Sequence, residues 1–398
     1  MPSAVPVTCS DSELHSRMLD ILARLVGFDT TSHRSNLPLI EYVRGLLAEH
    51  GIESRLLGNE DGTKAALVAT ARRSGATGPG VIWSGHTDTV PVDGQTWSGD
   101  PYTLRIEDGL ALGRGTADMK GFIACALAVL TAVDREALAV PVTLLLTYDE
   151  EIGCVGARRL VPELSTWADD AVGCVVGEPT DMRVVVGHKG KQNHRVRFRG
   201  EPKHSSLAPR LPNPVVAAAA LTGFAQELNE RFRAEGPHDP RFPIPHSWIN
   251  VGRVEGGVKP NIVPEECLLE LEIRTVPGHS CDDVAAELRA HAEGELLASQ
   301  RKFSEAADVR VEQLSDTPSF AVPEDHAFVG FVQSAFERPL PVQYVPFGTE
   351  AGLLWGHAGI PSVVCGPGSI DQAHTPDESV PLDDLRACLT ALRSLPVT

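Results

Sequence analysis

Apolar positions along this chain recur in two rhythms that take turns. Over residues 12–27, Leu14, Met18, Leu19, Leu22 and Leu25 fall at helical spacing, and Asp11 or Ser12 can cap the start. A second helix over residues 37–50 carries Ile40, Val43, Leu46 and Leu47 and stops at Gly51, a usual residue just past a helix end. Residues 65–71 and 81–83 read as short apolar strands on either side of a glycine-rich turn. An apolar helix follows over 122–133, a strand over 142–148, a helix from near Val155, and strands over 171–176 and 361–365. Short, continuously apolar strands alternating with helices predict an α/β domain, a mostly parallel sheet flanked by helices.

Between residues 184 and 315 the rhythm changes. Residues 184–200 and 246–254 read as strands, Leu268 to Thr275 alternates strictly, and 309–314 is a last strand; helices fit 213–232 and 281–297. That order is β-α-β-β-α-β, a compact ferredoxin-like α+β unit. The expected organisation is a discontinuous domain of residues 1–183 and 316–398, interrupted by an inserted domain of residues 184–315. The proline-rich residues 237–245 form a long loop within the insert.

Composition narrows the partners. A chain of 398 residues, 42% hydrophobic and 22% charged, is long enough for two cores. A net charge of -18 and a pI near 5.2 argue against nucleic acid and anionic membrane surfaces, which reward basic patches. The stretch from Met1 to Thr8 lacks a basic start and a long apolar centre, and no apolar run reaches membrane-spanning length, so a cytoplasmic protein is expected. The eight cysteines are scattered among Ala, Val and Leu, as buried reduced thiols would be.

The candidate chemistry sits where strands end. Residues 81–83 run into His86-Thr87-Asp88, in which the imidazole can bind a metal while the carboxylate orients it. Asp118 precedes the apolar helix; Asp149-Glu150-Glu151, Glu178 and His374 each follow an apolar strand. Taken singly, each has a plainer explanation: a satisfied histidine, a helix cap, a solvated acidic turn. The glycines of 113–121 lack both the dinucleotide spacing and the terminal Gly-Lys-Ser/Thr of a phosphate loop. In open parallel sheets, however, the ligand crevice lies outside the carboxyl ends of the strands, so these residues can converge. Two histidines and several carboxylates without thiolates suit a pair of borderline divalent ions, with zinc the usual choice and cobalt or manganese as substitutes. Three adjacent acids favour such an ion, because it offsets their repulsion.

Together, Ser84-Gly85-His86-Thr87-Asp88, the stretch from Gly113 to Gly121 containing Arg114 and Asp118, Asp149-Glu150-Glu151-Ile152-Gly153 and Gly177-Glu178-Pro179-Thr180 resemble the co-catalytic zinc amidohydrolases and exopeptidases. That family includes acetylornithine deacetylases, succinyl-diaminopimelate desuccinylases, aminoacylases and glutamate carboxypeptidases. The resemblance implies two Zn2+ ions, one held by His86, Asp118 and Glu178 and the other by Asp118, Glu151 and His374, with Asp118 bridging. It implies Glu150 as general base, Asp88 as the partner that fixes His86, and His204 as a donor to the tetrahedral oxyanion. It also implies a homodimer through the insert, which would act as lid and dimerisation domain.

Within the family, the acetylornithine deacetylase branch is the one this chain resembles most. That rests on Phe28-Asp29-Thr30-Thr31-Ser32, His188-Lys189-Gly190, Phe347-Gly348-Thr349-Glu350-Ala351-Gly352, and Gly366-Pro367-Gly368 running on to Glu378. The resemblance gives Asn261 and Arg274 a role at the substrate carboxylate, although Arg274 alone reads as a solvated arginine. Glu350 is expected to meet a substrate side-chain ammonium. One departure is Leu211-Pro212-Asn213-Pro214, where the family usually has Gly-Val-Asn-Ala; the prolines stiffen the entrance to the insert's first helix. Other N-acyl-amino-acid amidohydrolases, or a noncatalytic binding module on the same fold, are the competing functions. A free base at Glu150 counts against the last.

Overall fold

A computed structural model describes residues 4–164, 171–336, 338 and 340–395 of the chain. The first three residues of the N-terminal stretch considered above lie outside them. Two compact units emerge: residues 1–187, 321–343 and 349–398 in one, and residues 188–320 and 344–348 in the other.

The first unit is organised by the apolar strands that the sequence pattern marks. Seven strands of its nine-stranded sheet lie in the order Ser54–Gly58, Ala65–Ala71, Val142–Thr147, Val81–His86, Gly173–Val176, Ser362–Val364 and Val184–His188. The middle of the sheet is parallel, Val81–His86 pairing with both Val142–Thr147 and Gly173–Val176, and the latter with Ser362–Val364. Its flanks are antiparallel. The strand Ser54–Gly58 was not legible in the sequence: it is half-buried and has no clean alternation.

Helices cover the sheet. Asp11–Val26 starts from Ser10, not from Asp11 or Ser12 as expected, because Ser10 and Glu13 exchange backbone bonds in a capping box. Every residue of helix Gly121–Ala132 is buried, as a helix apolar on all sides must be. All eight cysteines are free, Cys9 half-buried and the others buried. No helix among the described residues is long and apolar enough to cross a membrane.

In the second unit, strands Gly190–Arg199, Trp248–Gly256, Glu266–Thr275 and Asp308–Thr317 form an antiparallel sheet. Helices Pro214–Glu235 and Cys281–Ala290 supply Leu221, Leu228, Val284 and Leu288 to a core with Val196, Phe198, Leu269 and Ile273. Asn213 caps the first of these helices and Pro214 opens it, a position where a missing N–H costs nothing. The single strand expected over 184–200 is two strands. Val184–His188 pairs with Val364 in the large sheet, so the second unit begins at His188 instead of residue 184.

Parallel register is what gathers the candidate residues. His86 lies opposite Thr147, Ser84 opposite Val176, and Val176 opposite Val364, so the carboxyl ends of four strands come level. The loops leaving them pack backbone to backbone, with Thr180 N and Met182 N both donating to Gly366 O. A Cβ on Gly366 would stand 2.1 Å from the carbonyl oxygen of Gly177. Gly366→Ala is therefore expected to destabilise the fold by about 1–3 kcal/mol, as overpacking does. Urea denaturation reads this directly, and an unmoved midpoint would refute the claim that these loops have no slack.

Candidate metal centre

His86 is the last residue of its strand and is fully buried. Its Nδ1 lies 3.0 Å from the backbone carbonyl of Asp88 and 3.5 Å from the Asp88 carboxylate. The backbone carbonyl is the nearer partner, and the Asp88 carboxylate, the expected one, faces the same nitrogen from slightly farther away. With Nδ1 engaged there, Nε2 is the nitrogen that faces Asp118, and it is the one that would offer a lone pair to a metal on losing its proton. The Asp88 carboxylate does something else: it accepts from the amides of Glu150 at 3.0 Å and Glu151 at 3.3 Å and from Ser32 Oγ at 2.8 Å. It pins the acidic turn to the histidine strand.

Asp118 does not cap the apolar helix. It lies inside the tight turn Thr116–Lys120, and Lys120 occupies the capping position. One carboxylate oxygen of Asp118 is 2.9 Å from His86 Nε2, and the other is 3.2 Å from His374 Nε2. His374 Nε2 is also 3.0 Å from Glu151 Oε2, and Glu178 Oε1 is 3.8 Å from His86 Nε2. His86, Asp118, Glu150, Glu151, Glu178 and His374 therefore meet in one basin of the first unit. Two overlapping sets, His86 with Asp118 and Glu151, and His86 with Glu150 and Glu178, keep their ligand atoms within 4.8 Å of one another.

Burial would raise the Asp118 carboxyl, but hydrogen bonds with His374 and His86 outweigh it and hold that group well below the usual range. The other acids are compensated less, even Glu151 with its bond to His374. Burial, reinforced by neighbouring carboxylates, pushes Glu150 up to about 8, Glu151 up to about 7 and Glu178 well above the ordinary value. Bonds to Asp118 and Glu151 take His374 up to about 10. Oε1 of Glu151 is buried with no hydrogen-bond partner. Converging imidazoles, surplus carboxylates and an orphaned oxygen fit divalent cations, which supply the missing positive charge.

The remaining site candidates lie in other surroundings. Glu350 is buried in the first unit, accepting from Ser84 Oγ and, at 2.8 Å, from Thr147 Oγ1. Both its oxygens are taken by the sheet, which corrects the expectation that it meets a substrate ammonium. In the second unit, His204 is exposed and caps the short turn Ser205–Arg210, with Nδ1 2.9 Å from Ser206 Oγ. Asn261 is its neighbour there, Ser205 N donating to Asn261 O at 3.0 Å. Arg274 is not merely solvated: it forks onto Glu272 at 2.6 and 3.2 Å and donates to the Pro346 carbonyl at 2.7 Å. Sequence reasoning missed Glu378, which is buried, ion-paired with Arg114 at 2.7 Å and bonded to the Asp118 amide at 3.0 Å. The signal was there in the paired motifs Gly113-Arg114-Gly115 and Pro376-Asp377-Glu378.

Such a fold, with such a donor set at the ends of parallel strands, defines a class: hydrolases that depend on divalent metal ions. Residues 82–397 match the peptidase family M20/M25/M40, and the chain belongs to that family. It is 33% identical over 366 residues to an acetylornithine deacetylase from Photorhabdus laumondii, covering 92% of this chain and 91% of that protein. To an acetylornithine deacetylase from Klebsiella pneumoniae it is 34% identical over 312 residues, covering 78% and 77%. Its fold is similar to that of an M20 family metallo-carboxypeptidase from Sulfolobus solfataricus, with a TM-score of 0.76, 18% identity and coverage of 95% and 98%. A dinuclear metal binding peptidase of the same family from Bacillus subtilis gives a TM-score of 0.68 at 16% identity, covering 97% and 98%.

Two outcomes are expected from this geometry. In protein stripped of metal by a chelator, the raised Glu150, Glu151 and His374 bind more protons folded than unfolded, so their contribution to stability is full at low pH and is lost as pH rises through about 7 to 10, while that of the depressed Asp118 is lost only in acid. Calorimetry across pH 6–9 should show this fall and its reversal by added Zn2+ at pH 8; a flat profile unmoved by the ion would contradict the charge assignment. Glu350→Gln should lower the melting temperature yet leave the ratio of activities on acylated basic and neutral amino acids unchanged. A reversed ratio would restore Glu350 to the substrate.

Proposed function

We propose that this chain hydrolyses the amide of N2-acetyl-L-ornithine, releasing L-ornithine and acetate. The observation that carries the reading is the division of Asp118 between His86 and His374, with Glu150 beside it and outside that pairing. His86, Asp118 and Glu178 would hold one ion, and Asp118, Glu151 and His374 the other. Ions bound there supply a polarised acyl carbonyl and a more acidic water. Glu150 takes the proton of the attacking water as the new C–O bond forms. It delivers that proton to the amide nitrogen as the C–N bond breaks, so a free amine and a carboxylic acid result, the acid then releasing the second proton of the water.

Asp88 keeps Glu150 and Glu151 in place through their backbone amides. By the resemblance, His204 would be the donor to the oxyanion, and Asn261 and Arg274 would read the substrate carboxylate. Zinc is the ion the His and carboxylate donors favour. Eight free cysteines are in keeping with a reducing, cytoplasmic setting. The resemblance supports a homodimer through the inserted unit. The acetylornithine substrate is supported by the names of the relatives and by the length of chain they share with this one.

Steady-state rates on N-acetylornithine, N-acetylcitrulline, N-acetylmethionine and N-succinyl-diaminopimelate, with metal content measured, test the assignment. Acetylornithine should give the highest kcat/KM, and Glu150→Gln should lose about 10²–10⁴-fold in kcat while retaining its metal. A preference for another acyl amino acid moves the function within the class, whereas full activity in Glu150→Gln removes the proposed base.

A further inference from the structure

Asp88 and Ser32 support the acidic turn on one side of the basin, and a longer chain of side chains supports the other. Glu378 spends all its acceptor capacity on the loop that carries Asp118: Oε1 takes the amides of Ala117 at 2.9 Å and Asp118 at 3.0 Å, and Oε2 takes Gly115 N at 2.9 Å and Arg114 Nη1 at 2.7 Å. The Arg114 guanidinium, stacked 5.0 Å from the Trp97 ring centroid, donates from Nη2 to Gln95 Oε1 at 2.6 Å. Gln95 in turn donates from Nε2 to the backbone carbonyl of His374 at 2.8 Å. His374 needs this hold, since its φ of 64° lies in the left-handed region that side-chain-bearing residues seldom adopt. His86, by contrast, is fixed by strand pairing and the Asp88 carbonyl.

We propose that Gln95, Arg114 and Glu378 are a positioning frame for one half of the metal centre, and that Gln95 sets how tightly the His374 side holds its ion. The inference rests on the dinuclear reading given above. Its consequence is asymmetry: Gln95 reaches the basin only at His374, so its loss costs the second ion and spares the first, whereas Glu378 also holds the shared Asp118. Outer partners that orient metal ligands typically change affinity 10–100-fold when removed.

Glu378→Ala would leave Arg114 buried without its carboxylate, a change that can unfold the protein. Gln95 is only half-buried and makes the better probe. Chelator-stripped wild type, Gln95→Ala and Gln95→Glu would be titrated with Co2+, following heat and visible absorption, with the melting temperature of each metal-free form as the control. The wild type should bind two ions. Gln95→Ala should bind the first within about twofold of wild type and the second about 10–100-fold more weakly, with an unchanged metal-free melting temperature. Gln95→Glu keeps an acceptor for Arg114 but loses the donor to His374, and should weaken the second ion as Gln95→Ala does. Wild-type affinities at both steps in both variants, or equal weakening of both steps, would overturn the frame while leaving the dinuclear centre intact. A wild type that takes up one ion or none would overturn the dinuclear reading, and the frame with it.

Discussion

Asp118 shares its carboxylate between two imidazoles that reach it from opposite ends of the chain, and the arrangement of the first unit follows from keeping that contact. A buried carboxylate is costly unless it is paired, and this one is paired on both oxygens. The price appears next door, where Glu150, Glu151 and Glu178 are packed into the same apolar surroundings without enough positive charge among the side chains. A cluster in that condition is stable as a cation site and strained as anything else.

The surrounding structure keeps positive groups away from the basin itself and uses them on its supports. Lys64 pairs with Asp149 and with the Ser32 carbonyl, holding the first acid of the triplet out of the centre. Asp149 adopts a positive φ of 57°, so the chain turns sharply and the next two acids face a different environment. Arg114 is matched by Glu378 in the same way. These buried pairs contribute little net stability of their own, but each fixes the backbone of a residue in the basin.

How much of this could be read in the sequence depended on whether a signal was local. Strands Ala65–Ala71 and Val142–Thr147 were legible because apolar runs of that length between turns have few other uses. The basin residues other than Asp118, which precedes an apolar helix, were legible because each sits just past such a run, and parallel register does the rest. What escaped was decided by distant partners. Ser10 became the cap through Glu13; Val184–His188 left the insert by pairing with Val364; Glu350 was withdrawn into the sheet by Ser84 and Thr147. Glu378 looks like one more acid after a proline, and only the short sheet of Ser379–Pro381 on Leu110–Leu112 brings it against the Asp118 loop.

Glu150 and Glu151 are neighbours in sequence with different contacts, and the roles proposed for them follow those contacts. Glu151 shares a proton donor with Asp118 at His374, the position of a ligand. Glu150 makes no ion pair among the described contacts; the thiol of Cys154, 3.3 Å from Oε1, is a weak donor that leaves the carboxylate basic. Burial and the surrounding carboxylates raise its proton affinity, and bound cations would draw it back toward neutrality, the range in which a carboxyl both accepts and releases a proton readily. Both acids are raised by burial, and it is their contacts that differ: the one bonded to an imidazole is suited to bind, and the one without that bond to carry protons. A protein that only bound a ligand would gain nothing from burying an acid in that state, and it is the cost of Glu150 that argues for catalysis.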